Sequence, residues 1–349
     1  MKALKRNLFV TATPYQLLTA HNLCYQNFGS DEFQNEIYFL KSEKTNYDFS
    51  NSTIENNILV KRFTLQEWPL LIQKLKEEAY FRFLFFQENS IFNKYLAFHL
   101  SKRGTIIALG PDGTKPYGVF DKKHEILSML KDTIKDYQEL KTKGLRLPIL
   151  FFSRYYRYGS FRILDEVWLQ YPSLFDDRHN RTKGTIKQLP DLNVDVLNRL
   201  SLLLEFKDQL KQNKDVILYF NQPFYSKELI CREFEILEEL LSIFPNKKIY
   251  VKLHPSTNPE VKRRMYQMPS LNIIEDNMPA EFYLAKVSDS IILTGWSAAT
   301  MHKFPSLNNT SYYLYPLYKQ AKDKTLSQIN LVGFPHIQMV TSLNEIIVK

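Results

Sequence analysis

The sequence predicts an α/β fold built as two successive units, and three observations predict it. Short β-rich runs alternate with helical stretches from Asn7 to Leu169, a polar segment rich in Asp, Arg and Asn follows at 176–185, and a second alternating series then begins. Strands that alternate with helices are joined by crossovers, so each series is expected to build a mostly parallel sheet.

Each element has its own signal. A compact β-rich run over 7–12 precedes Pro14, which suits the first turn of a helix running to Asn27. Strands are predicted over 36–40 and 57–62, a helix over 65–80, and further strands over 81–86, 105–109 and 166–169, the last stopped by Tyr171-Pro172. The second series has strands over 216–220, 248–253, 272–274 and 290–294, with a long helix over 226–243 between the first two. The expected division is an N-terminal Rossmann-like domain over 1–180 and a C-terminal one over 186–349. Two such domains facing each other across a cleft describe the GT-B glycosyltransferase architecture, although other two-domain folds share the pattern.

Composition narrows the function classes. A chain of 349 residues, 44% hydrophobic, can bury two cores of ordinary size. No apolar run reaches the roughly 20 residues that span a bilayer. The first ten residues are basic and then briefly apolar, like a signal peptide, but the stretch Thr11 to Gln16 interrupts them and no small-residue cleavage site follows. That start is therefore expected to be a first strand. Cys24 and Cys231 lie far apart, with neither metal spacing nor a disulfide framework, which fits a reducing cytoplasm. The net charge of +9 with 14% aromatic residues admits a nucleic acid, an anionic membrane surface or a phosphorylated substrate without choosing among them. The run Arg154-Tyr155-Tyr156-Arg157-Tyr158 interleaves arginine with aromatics, a pattern that suits bases, lipid headgroups or anionic glycan alike.

The strand ends carry the chemistry. The run Val251-Lys252-Leu253-His254-Pro255 reads as a buried strand stopped by a residue that cannot continue a ladder, which leaves His254 at its carboxyl end. In open parallel sheets that end faces the ligand crevice. After Leu109 comes Gly110-Pro111-Asp112-Gly113-Thr114, a carboxylate in a turn with glycine on both sides, and an ordinary Asp-Gly turn would look the same. After Phe220 comes Asn221-Gln222-Pro223, whose amides suit a base or a sugar. After Thr294 comes Gly295-Trp296-Ser297-Ala298-Ala299-Thr300, small and hydroxylated residues opening a helix whose N-terminus suits a phosphate, or simply capped by Ser297. There is no Gly-x-Gly-x-x-Gly fingerprint after the first strand, no Walker A loop and no Asp-x-Asp triplet, and the histidines show no zinc spacing.

Taken in order, Thr11-Ala12-Thr13-Pro14-Tyr15-Gln16, Pro111-Asp112-Gly113, Asn221-Gln222-Pro223, Lys252-Leu253-His254-Pro255, Pro279-Ala280-Glu281 and the stretch Ser297 to Thr300 resemble bacterial sialyltransferases of the lipooligosaccharide and capsular polysialyltransferase type. The resemblance runs roughly from Asn7 to Thr300. That family's acidic motif carries two acidic residues before glycine; here Pro111 takes the first place and leaves Asp112. Its serine-rich motif is represented by Ser297 and Thr300 with alanines between.

The resemblance implies a GT-B fold, a cytidine monophosphate sialic acid (CMP-Neu5Ac) donor and inversion at the anomeric carbon, with no metal and no cofactor. It implies Asp112 as general base toward a sugar hydroxyl and His254 as the group that assists the departing phosphate. Asn221, Gln222, Pro223, Pro255, Glu281, Ser297 and Thr300 are then expected on the donor side, with Thr13, Tyr15, Gln16 and Gly113 toward sialic acid or the acceptor. For Glu281, helix first-turn charge is a competing reading, and for Tyr15 and Gln16 it is plain helix initiation. The acceptor is expected to be terminal galactose or sialic acid on a bacterial surface glycan, lipid-linked, handled from the cytoplasm at the inner membrane. Dimers occur in that family. Two alternatives stay open, a GT-B enzyme using another nucleotide sugar and a basic nucleic-acid-binding protein.

Overall fold

The computed structural model describes residues 4–41, 52–55, 57–120, 126–146, 158–176, 182–321, 323, 326, 329–331 and 333–346. Residues 154–157 of the basic aromatic run and 177–181 of the expected linker lie outside the described residues. The chain divides into two compact units, one of Met1–Tyr117 with Lys122–Leu204 and the other of Gly118–Asp121 with Glu205–Lys349.

Unit 1 is built on β1 (Lys5–Thr11), β2 (Phe33–Lys41), β3 (Ser52–Glu55), β4 (Ile58–Thr64), β5 (Arg82–Phe85), β6 (Ile106–Leu109), β8 (Glu166–Leu169) and β9 (Thr185–Gln188), with β7 (Gly118–Phe120) belonging to unit 2. Its sheet runs β3-β4-β2-β1-β5-β6-β8-β9, parallel throughout except for β3, which pairs antiparallel with β4. Parallel strands covered on both faces are apolar on both, and Leu8, Phe9, Phe83, Leu84 and Phe85 are all fully buried. The strand order reverses between β1 and β5, so the segments leaving β1, β5 and β6 emerge together at the switch point.

Two expectations change here. The helix expected over 65–80 is confined to Trp68–Leu75, because the turns at Glu77 and Glu78 must release Phe81 to hydrogen-bond the Arg6 carbonyl at 2.7 Å and start β5. The domain boundary expected between 180 and 186 also moves. β9 pairs with β8, and the helix Val194–Leu203 packs on the helix Pro14–Asn27, so unit 1 extends to Leu204. Asn22 holds that connection, donating to the Asp191 carbonyl at 3.2 Å and accepting from the Asn193 N–H at 3.0 Å.

Unit 2 is a second parallel sheet, from β10 (Ile217–Phe220), β11 (Ile249–Lys252), β12 (Leu271–Ile274), β13 (Ile291–Thr294), β14 (Thr310–Tyr313) and β16 (Ile337–Met339), in the order β12-β11-β10-β13-β14-β16. β15 (Ile329–Leu331) pairs antiparallel with β7. The reversal lies between β10 and β13. The fold class is the one expected: α/β with two Rossmann-like units of the GT-B type. Among the described residues no helix is long and apolar enough to cross a membrane.

Gly110 continues β6, donating to the Phe85 carbonyl at 2.8 Å, and a Cβ there would come within 2.4 Å of Phe86 Cε1. Phe86 is buried and cannot swing away. Gly110→Ala should therefore lower the stability of unit 1 by about 1–3 kcal/mol through overpacking, measurable as a fall in the urea midpoint.

Candidate active site

In unit 1 the end of β1 and the end of β6 are tied together. Thr13 caps the helix Pro14–Asn27, its hydroxyl accepting from the Gln16 N–H at 3.2 Å, and Pro14 fits the first turn. The cap turns Gln16 inward, where its Oε1 accepts from the Ala12 N–H at 2.8 Å and its Nε2 donates to Asp112 Oδ1 at 3.1 Å. Gln16 is thus brought to Asp112, while Thr13 and Tyr15 stay half-buried beside it.

Asp112 follows β6 in a turn completed by Gly113, whose φ of 65° is the left-handed conformation glycine takes without cost. The Asp112 side chain keeps 37% of its surface open, and Lys115 Nζ stands 4.0 Å from Oδ2. Desolvation pushes the Asp112 pKa above the ordinary aspartate value, while the Lys115 charge and the Gln16 hydrogen bond pull it back. Beneath the turn, the Tyr158 hydroxyl donates to the Gly110 carbonyl, and Glu88 accepts from the N–H groups of Gly159 and Phe161 at 2.8 and 2.7 Å. Burial pushes Glu88 up to about 7.

In unit 2 His254 lies two residues past β11 and is exposed, as is Pro255. Its Nδ1 accepts from the Ser256 N–H at 3.0 Å, which assigns the neutral ring's proton to Nε2. Asn221, placed on the donor side by the sequence, is buried, and its amide is used internally. Oδ1 accepts from the His254 N–H at 3.3 Å and from the Thr257 hydroxyl, and Nδ2 donates to Glu233 at 2.8 Å. Gln222 is half-buried and donates to Thr294 Oγ1 at 3.1 Å, with Pro223 half-buried next to it.

Two further expectations need correction. The helix expected to open at Ser297 is a single 3₁₀ turn, Ala298–Met301, too short to gather a helix dipole. Thr300 is fully buried and donates to the Ser297 carbonyl at 2.8 Å, so its hydroxyl is committed inside the turn, whereas half-buried Ser297 accepts from the Ala299 N–H at 3.3 Å. Glu281 is in the first turn of the helix Ala280–Leu284 but is buried, and desolvation pushes it up to about 7 although the Lys252 charge opposes this.

Lys252 is itself buried at the end of β11, bound to Asp276 Oδ1 at 2.9 Å and to the Asp276 carbonyl at 2.8 Å. Asp276 also accepts from Gln209 at 3.0 Å and from the Tyr283 hydroxyl. Sequence reading missed Glu88, Glu233 and Asp276. A lone acid in an apolar helix or after a strand looks like solvated surface, and only its tertiary partners show otherwise.

Glu281 gives a signed pH dependence. Its folded pKa of about 7 lies above the ordinary 4.5, so the neutral form favours folding. That stability is complete below pH 4.5 and is lost as the pH rises through about 7. Relative to Glu281→Gln, the native protein should lose about 3 kcal/mol over that range, read from urea unfolding at successive pH values.

No curated protein matches the chain. Among solved structures, it is similar to the 2,6-sialyltransferase of Photobacterium sp. JT-ISH-224 in complex with CMP and lactose, with 11% identity, 97% of this chain and 78% of that one covered, and a TM-score of 0.53. It is also similar to MnaA of S. aureus bound to UDP, with 12% identity, 93% and 90% covered, and a TM-score of 0.51. At such identities the likeness concerns the fold. The family model for alpha-2,8-polysialyltransferase (POLYST) matches residues 7–315, and the chain belongs to that family.

Proposed function

We propose that the protein is a metal-independent, inverting sialyltransferase that moves sialic acid from CMP-Neu5Ac to a hydroxyl of a bacterial surface glycan, either terminal galactose or sialic acid. The observation that carries this reading is Asp112, a partly open carboxylate at the end of β6 oriented by Gln16. A sugar hydroxyl is a weak nucleophile until its proton is removed during attack, and a fixed carboxylate with a raised pKa suits that task.

In the proposed step the acceptor oxygen attacks the anomeric carbon as its proton passes to Asp112. The bond from that carbon to the phosphate oxygen breaks, and CMP leaves with the bonding pair from the opposite face. The tertiary carbon develops oxocarbenium character, so the need is for a donor at the departing phosphate. His254 meets it with the proton on Nε2, as the Ser256 contact at Nδ1 directs. Gln222 and Ser297, half-buried at adjacent strand ends, are the donor-side candidates. A second reading, transfer from another nucleotide sugar, is favoured by the burial of Asn221, Thr300 and Glu281, which leaves three of the expected donor contacts inside the protein.

Asp112→Asn should reduce transfer by about 10²–10⁴-fold with CMP binding retained in calorimetry, and His254→Ala should slow CMP release. Full activity in both variants would overturn the roles. Because Asp112 must be ionised, kcat/KM should fall as the pH drops through its raised pKa. Lys115→Ala removes the charge that lowers this pKa, so it should move the acid limb of the profile to higher pH.

A further inference from the structure

We propose that Glu233 is a positioning residue for His254, acting through the Asn221 amide. The inference rests on the role given to His254 above. Glu233 lies within the helix Lys227–Ile243 and is fully buried under the end of β10. Its Oε1 accepts from the Tyr219 hydroxyl at 3.0 Å and from Asn221 Nδ2 at 2.8 Å, and Tyr219 is in turn hydrogen-bonded to Tyr318.

An Asn amide is nearly symmetric in shape, and only its partners decide which end is the acceptor. On the far side of Asn221 both partners are donors, the His254 N–H and the Thr257 hydroxyl. If the amide reversed, its NH₂ would face the His254 N–H, donor against donor. Glu233 disfavours that arrangement by demanding a donor on its own side, together with the Gln222 carbonyl, which accepts from Asn221 Nδ2 at 3.1 Å. The turn that Asn221 holds is closed by Thr257 N–H to the His254 carbonyl at 2.9 Å and by Ser256 N–H to His254 Nδ1 at 3.0 Å. The order of control is therefore Glu233, Asn221, the 254–257 turn, and the imidazole tautomer.

Packing alone does not explain an acid here. Among the hydrogen-bond partners just named none is a cation, so no ion pair accounts for the carboxyl. What the carboxyl supplies is an acceptor with a fixed direction. Glutamine supplies the same acceptor, and leucine does not.

The test compares Glu233→Gln with Glu233→Leu. Imidazole ¹⁵N NMR of the unliganded protein reports the His254 tautomer without any turnover, and steady-state CMP release reports kcat and KM. The native protein and Glu233→Gln should both show His254 protonated at Nε2. Glu233→Leu should show mixed tautomers and a kcat about tenfold lower, with KM changed by less than about twofold. Should Glu233→Leu fail to fold, Asn221→Asp places a second acceptor against Glu233 and should disturb the same nitrogens. Unchanged His254 nitrogens in Glu233→Leu or Asn221→Asp, or loss of the tautomer in Glu233→Gln equal to that in Glu233→Leu, would overturn the proposal. A His254→Ala enzyme with full turnover would instead remove the catalytic role of His254, while the NMR result still decides whether Glu233 positions it.

Discussion

Parallel pairing is the constraint on which the rest depends. Because β1, β5 and β6 run the same way, the segments that follow them leave the sheet of unit 1 at one end, and Gln16 meets Asp112 although 96 residues separate them. The same rule in unit 2 sends β10, β11 and β13 out together. That is why Asn221 reaches the His254 turn and Gln222 reaches Thr294. The candidate chemistry in each unit is a consequence of strand direction before it is a consequence of side-chain identity.

Bringing polar loops over a buried sheet end requires partners for their backbone groups, and this protein supplies them from acids. Glu88 receives two N–H groups of the segment behind Asp112, and Glu233 accepts from the amide behind His254. A contrast within unit 1 shows the physics. Burial also pushes Glu36 up, but direct hydrogen bonds from Lys61 and Arg6 outweigh it and hold that carboxyl below its ordinary range. Among the described residues Glu88 and Glu233 show no such cation hydrogen bonds, and both rise to about 7. The paired acid stitches an ion network across three strands, whereas the other two support loops.

Much of this was legible in the sequence because the relevant signals are local. Pro14 and Thr13 mark the helix start, runs such as Ile217–Phe220 and Glu166–Leu169 mark buried strands, and Pro255 and Gly113 mark strand-end turns. What was not legible depends on tertiary contacts. β9, exposed or half-buried along its length, has no apolar run to announce it and exists because β8 offers an open edge. The committed hydroxyl of Thr300 and the inward amide of Asn221 cannot be told from available ones by residue type, since both look like ligand contacts until their partners are known. Asp112 is partly exposed and His254 exposed, while Asn221, Thr300 and Glu281 turn inward.

The central claim is a sialyl transfer that needs no metal. Its most direct test is nucleotide release by the native protein from a panel of CMP-Neu5Ac and uridine and guanosine diphosphate sugars, with lactose as acceptor and a chelator present. The account predicts release of CMP from the sialic acid donor alone, at a rate the chelator leaves unchanged. Release from a diphosphate sugar instead, or abolition by the chelator, would contradict it.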